Sequence, residues 1–98
     1  MSGDESRELT LTVTHRAGLH LRPAALFVRA AARFQSQIRI RNLDREGGPE
    51  VDAKSMLGVM QAAVSQGHRV RVRAAGVDAE EALGALARLV AANFEDAP

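Results

Sequence analysis

The chain has no cysteine, tryptophan or tyrosine, and only three phenylalanines. Without thiols there is no disulfide and no thiolate metal site. Its three histidines, His15, His20 and His68, are scattered too widely to suggest a metal centre, and no cofactor is expected. Scarce aromatics remove the stacking platform on which sheet proteins bind single-stranded nucleic acid. No apolar run approaches the roughly 20 residues of a bilayer span, so no membrane insertion is expected. Residues Met1-Ser2-Gly3-Asp4-Glu5-Ser6 are polar and acidic, the opposite of a secretory signal, and a cytoplasmic location is the expectation. Neither sign of charge is in excess, the net being +1, and Lys54 is the only basic residue that is not arginine. At 98 residues the chain reads as one domain, expected to act as a monomer, with polar tails over about 1–7 and 95–98.

What is present begins with Gly18-Leu19-His20-Leu21-Arg22-Pro23-Ala24. Before this run Leu9, Leu11 and Val13 alternate with Thr10, Thr12 and Thr14, a half-buried strand over about 8–14. After it Ala24, Phe27, Val28, Ala31 and Phe34 recur at helical spacing, predicting a helix over about 21–34. Pro23 suits the first turn of that helix, where a missing N–H costs nothing. His20 therefore sits where a strand gives way to a helix. The amides of Leu21 and Arg22 face an N-terminus that favours an anion, and the Arg22 guanidinium can grip phosphate with paired hydrogen bonds. This setting suits a histidine that accepts and passes on a phosphoryl group.

Further along, Ile38 and Ile40 alternate with Arg39 and Arg41, a second strand, and Glu50 to Asp52 reads as a short third. Ser55 can cap a short helix reaching about Ala62. Val70, Val72 and Ala74 alternate with Arg69, Arg71 and Arg73 in a fourth strand. Asp78 and Glu81 have the spacing of a capping box, and Ala82, Leu86, Leu89, Val90 and Phe94 form the stripe of a last helix. The order is βαββαβα, of α+β class, an antiparallel sheet covered by helices on one face. Leu9, Leu11, Val13, Ile38, Ile40, Val70 and Val72 should line its inner face.

Two separated runs carry a resemblance. Gly18-Leu19-His20-x-Arg22-Pro23-Ala24 and Lys54-Ser55-Met56-Leu57-Gly58-Val59-Met60 resemble the active-site and regulatory-serine motifs of HPr, the histidine-containing phosphocarrier family of the bacterial phosphoenolpyruvate-dependent sugar phosphotransferase system. The likeness extends from about Leu9 to Val90. It implies an open-faced sandwich, a four-stranded antiparallel sheet with three helices on one face. It implies that His20 is phosphorylated on Nδ1 by enzyme I and hands the group to IIA proteins for sugar uptake, with Arg22 neutralising charge during transfer and Pro23 fixing the start of the helix. It also implies a docking face made by Leu21, Met56, Leu57 and Met60. Such a protein is a carrier forming a phosphohistidine intermediate, not an enzyme. Ala17 stands where many relatives have a small polar residue, and Leu21 is bulkier than usual at its position.

Ser55 has two readings, an ordinary helix cap and the site of an ATP-dependent HPr kinase/phosphorylase whose product also engages a transcriptional regulator. His15 and His68 read most simply as surface residues, and Asp52 and Lys54 as a solvated pair. Two rival functions stand beside the carrier. One is a relative that serves regulation without transport. The other is an RNA-binding sheet using Arg39, Arg41, Arg69, Arg71 and Arg73; the lack of stacking aromatics argues against it, and no nucleic-acid partner is expected.

Overall fold

Alternation of β-branched and charged residues sets the sheet, and two amphipathic stripes set the longer helices that cover it. The computed structural model of the protein describes residues 6–95. Its elements are β1 (Ser6–Thr12), α1 (Leu21–Ala32), β2 (Gln37–Asn42), β3 (Glu50–Asp52), α2 (Met56–Gln61), β4 (Arg69–Ala75) and α3 (Ala79–Ala91). The strands form one antiparallel sheet in the order β1-β4-β2-β3. This is the βαββαβα open-faced sandwich.

Register fixes which side chains meet. Leu9 faces Val72, which faces Ile40, and Ala74 faces Ile38. Val13, Ile38, Ile40, Val70 and Val72 are fully buried, with Phe27 and Leu86 packed over them from the helices. Each such side chain removed from water contributes about 1.5–3 kcal/mol. Leu9 and Leu11 are only half-buried, because β1 is an edge strand with a neighbour on one side.

The helices end earlier than the sequence predicts, α1 at Ala32 and α3 at Ala91, so Phe34 and Phe94 lie beyond them, and three further details differ. β1 begins at Ser6, so Ser6 and Arg7 belong to the sheet, opposite Ala75 and Ala74, rather than to a tail. Glu95, the first residue of the other expected tail, is described and donates its N–H to Ala92 O at 3.1 Å, while residues 1–5 and 96–98 lie outside the described residues. β1 also ends at Thr12; Val13 leaves the ladder but stays buried, donating its N–H to His68 O at 2.9 Å and accepting from Gly67 N at 2.7 Å. Third, Asp78 precedes α3 but its carboxylate does not cap that helix. It accepts from Gln35 N and Ser36 N, each at 2.9 Å, and from Ser36 Oγ at 2.5 Å. Partners more than forty residues earlier in the sequence take the place of the local amides.

The arginines share the outer face. Arg39 lies opposite Arg73 and Arg41 opposite Arg71, like-charge pairs that disfavour pairing unless neutralised. Glu50 supplies that charge: its Oε2 is 3.0 Å from Arg73 and 3.8 Å from Arg71, and Glu8 reaches Arg73 at 3.7 Å. At the start of β4, Arg69 Nη2 holds Asp44 Oδ1 at 3.0 Å. The side-chain hydrogen bond from Arg69 is the main reason the Asp44 carboxyl is held down to about 2.

Candidate functional site

The loop between β1 and α1 is built by a histidine that the sequence left on the surface. His15 Nδ1 accepts from Ala17 N at 3.0 Å, and its ring meets Phe94 edge-on with centroids 5.9 Å apart. Gly18 N donates to His15 O at 2.8 Å and His20 N to Ala17 O at 3.2 Å, closing a tight turn. Gly18 has φ +58°, and a Cβ there would fall 2.2 Å from the carbonyl oxygen of Val64. Only glycine lets the loop lie this close to the α2–β4 connection. The contact is sealed by Leu19 N donating to Val64 O at 3.0 Å, while the Leu19 side chain is buried.

This turn delivers His20 to the N-cap of α1. Its backbone is extended, with φ −95° and ψ −176°, and its carbonyl accepts the first helical bond, from Ala24 N at 2.9 Å. Its side chain makes no capping bond and is exposed, so the ring is not committed to holding the helix. Leu21 and Arg22 are the first two helical residues, whose N–H groups have no carbonyl one turn back to bond. Pro23 comes third, buried, and contributes no donor. Arg22 is exposed, and among the described residues it forms no ion pair. A nucleophilic ring, two unpaired amides, a helix dipole and a guanidinium thus share one surface spot, which suits an exposed phosphoryl group.

Beside α1 packs α2. Ser55 is its N-cap, and Ser55 Oγ accepts from Gly58 N at 3.0 Å. Leu57 is 69% exposed and Leu21 63%, whereas Met56 and Met60 are half-buried against the core. The docking candidates therefore divide, the leucines projecting and the methionines flanking. Val77, at the β4–α3 turn, is 81% exposed and was not singled out from the sequence.

Lys54 and Asp52 are structural rather than a solvated pair. Lys54 Nζ donates to Phe34 O at 2.7 Å, beyond the end of α1, and Asp52 Oδ1 accepts from Lys54 N at 2.9 Å. His68 is likewise not a plain surface residue: its Nδ1 accepts from Ser65 N at 3.0 Å and lies 3.2 Å from Asn42 Nδ2. His15, His68 and Asn42 each make one short-range bond, to Ala17, Ser65 and Asp44 respectively, but the contacts that tie them into the fold, His15 with Phe94 and Asn42 with His68, Ala62 and Ala63, join residues far apart in sequence and leave no local mark. Among the described residues no cluster of three His, Asp or Glu side chains is placed to hold a metal ion.

The fold and the site define a class: small open-faced sandwiches that display a histidine at the start of their first helix. Residues 7–92 match the PTS-HPr family, described as the PTS HPr component phosphorylation site. The phosphocarrier protein HPr of Xylella fastidiosa is 42% identical over 89 residues, 91% of this chain and 96% of that one. The structure of an HPr from Thermoanaerobacter tengcongensis superposes with a TM-score of 0.83 at 41% identity, covering 94% of this chain and 99% of that one. The multiphosphoryl transfer protein of Haemophilus influenzae is 40% identical over 82 residues, 84% of this chain but 16% of its own length, so this chain spans only a fraction of such relatives. The chain belongs to the HPr family, the phosphocarriers of the phosphotransferase system.

No helix among the described residues is long and apolar enough to cross a membrane.

Proposed function

We propose that the chain accepts a phosphoryl group on His20 Nδ1 from enzyme I and passes it to IIA proteins in sugar uptake. The observation that carries this reading is the exposed His20 ring, left out of capping while its backbone starts α1. In the transfer the Nδ1 lone pair attacks phosphorus, the N–P bond forms, and the bond to the donor breaks with its electron pair going to the donor. The amides of Leu21 and Arg22 and the Arg22 guanidinium meet the phosphoryl oxygens as charge redistributes. The group stays at the surface, so the next protein can reach it. Leu21 and Leu57, with Met56 and Met60 beside them, give partners an apolar contact that adaptable methionines help to fit.

Ser55 adds control to this reading. A phosphate placed there by an HPr kinase/phosphorylase adds charge beside Leu57 and the methionines. Partners that dock there through apolar or acidic groups lose affinity, and a transcriptional regulator with a basic pocket gains it. The carrier reading is tested with enzyme I and labelled phosphoenolpyruvate. Acid-labile label on the parent chain is expected, none on His20→Ala, and the same circular dichroism for both. Arg22→Ala should label more slowly but not be silent. Label persisting on His20→Ala removes the assignment.

A further inference from the structure

The loop that presents His20 leans on the α2–β4 connection, and that connection is itself held by two side chains outside the acceptor motif. Its backbone is costly. Ala63 has φ +55°, a left-handed conformation that alanine adopts at a penalty and that surrounding contacts must maintain. Asn42, buried at the end of β2, provides them: its Nδ2 donates to Ala62 O at 3.0 Å and Ala63 O at 3.3 Å. The same amide group faces His68 Nδ1 at 3.2 Å, and Ser65 N donates to that nitrogen at 3.0 Å. The backbone N–H of Ser65 can only donate, so Nδ1 carries the lone pair, and Asn42 Nδ2 lies on that acceptor side. The amide orientation is fixed on its other side, where Asn42 Oδ1 accepts from Asp44 N at 2.9 Å. Asn42 and His68 thus hold Ala62, Ala63 and Ser65 on both sides of Val64. It is Val64 O that accepts from Leu19 N, one residue before His20, and against which Gly18 packs.

We infer that Asn42 and His68 are positioning residues for phosphoryl acceptance, setting the place of His20 through the carbonyl of Val64. The inference rests on the carrier reading and adds to it a second support for the acceptor, reached from β2 and from the start of β4. Neither side chain touches the phosphoryl group. Each acts by holding a strained turn at the height that the Leu19 amide needs. The placement of a nucleophile matters steeply in group transfer, where about 1 Å can cost a hundredfold in rate.

The test uses the full chain with His68→Leu, which removes the acceptor, and His68→Asn, whose side-chain oxygen can occupy the place of Nδ1. Arg45→Ala is the comparator: Arg45 Nη1 donates to Gln61 O at 2.6 Å, so its loss loosens the same end of α2 without touching Val64. The initial rate of labelling by enzyme I and phosphoenolpyruvate is measured at a temperature where circular dichroism shows every variant folded. Hydrogen exchange of the Leu19 amide is followed by NMR on the same samples. His68→Leu should label about tenfold more slowly and lose Leu19 protection. His68→Asn should restore both, and Arg45→Ala should lower the melting temperature while changing neither. Parental rate and protection in His68→Leu overturn the inference, as does an equal loss in Arg45→Ala. A parent chain that takes no label refutes the carrier reading instead, and Leu19 protection, which needs no phosphoryl donor, still decides whether His68 holds the loop.

Discussion

Gly18 and His20 stand two positions apart under opposite demands. Gly18 is buried and can have no Cβ; His20 is exposed and contributes almost nothing to packing. Gly18→Ala should therefore cost about 2 kcal/mol or more, from the left-handed φ and the clash with Val64 O together, seen as a drop in melting temperature. His20→Ala should leave that temperature unchanged. The carboxylates give a second prediction. Hydrogen bonds, chiefly from Ser36, hold the Asp78 carboxyl below its ordinary range, and Arg69 holds Asp44 at about 2. A carboxyl depressed in the folded state stabilises the fold above its unfolded value, about 3.9 for aspartate, and this is lost as pH falls through the folded value. Stability should therefore fall between about pH 4 and pH 2. Asp78→Asn should be less stable near neutrality and show a shallower acid limb in melts followed by circular dichroism. Asp78 also marks a limit of sequence reading. Its spacing to Glu81 is that of a capping box, yet the groups it binds are the amides of Gln35 and Ser36, which no local pattern brings near.

The element that most needs outside help is α2. Its span, Met56–Gln61, is far shorter than a helix that holds in water on its own. Ser55 satisfies one end, while Arg45 and Asn42 take up carbonyls at the other. Ser55→Ala should cost about 1 kcal/mol by thermal melting. Ser55→Asp should keep or slightly raise the melting temperature, since an anion at a helix N-terminus is favourable, while slowing the labelling of His20 by enzyme I. Unfolding of Ser55→Asp would defeat the capping argument. Labelling at the parental rate, repeated with the phosphoserine form, would leave Ser55 a helix cap alone. The Ser55 cap was legible because an N-cap is a local arrangement. β2 and β4 were legible because both sides of a strand declare themselves when isoleucine or valine alternates with arginine. The start of β1 was not, since Ser6 and Arg7 are polar and owe their place to Ala75 and Ala74 across the ladder.

At the scale of the whole molecule the question is what the arginine face does. Glu50 sits between Arg71 and Arg73, Glu8 reaches Arg73, and Asp44 holds Arg69, so much of the positive charge is already answered. Phe27 and Phe94 are buried, and Phe34 packs against the same core, so none offers a ring to a base. The chain should show no salt-sensitive retention of a single-stranded RNA in a gel-shift titration at about 0.1 M salt, where a working phosphate-binding face still holds its ligand. Tight, salt-dependent binding would reopen the reading of the sheet as a nucleic-acid surface. Placing the arginines on one face required only the period of the strands. Seeing them neutralised required the sheet order, because Glu50 reaches β4 from β3 with β2 between them.

That strand order also bears on how the protein comes into being. Of the described elements β1 is made before the rest, and its neighbour in the sheet, β4, comes after all but α3. Val13 and Leu19 likewise find their partners in Gly67, His68 and Val64. During synthesis the residues around His20 are therefore exposed long before anything exists to hold them in place. Pairings this distant in sequence make for slow, all-or-none closure. A nascent or truncated chain ending before β4 has the acceptor histidine but not its geometry, and competence for phosphoryl transfer arrives only when the last strand docks.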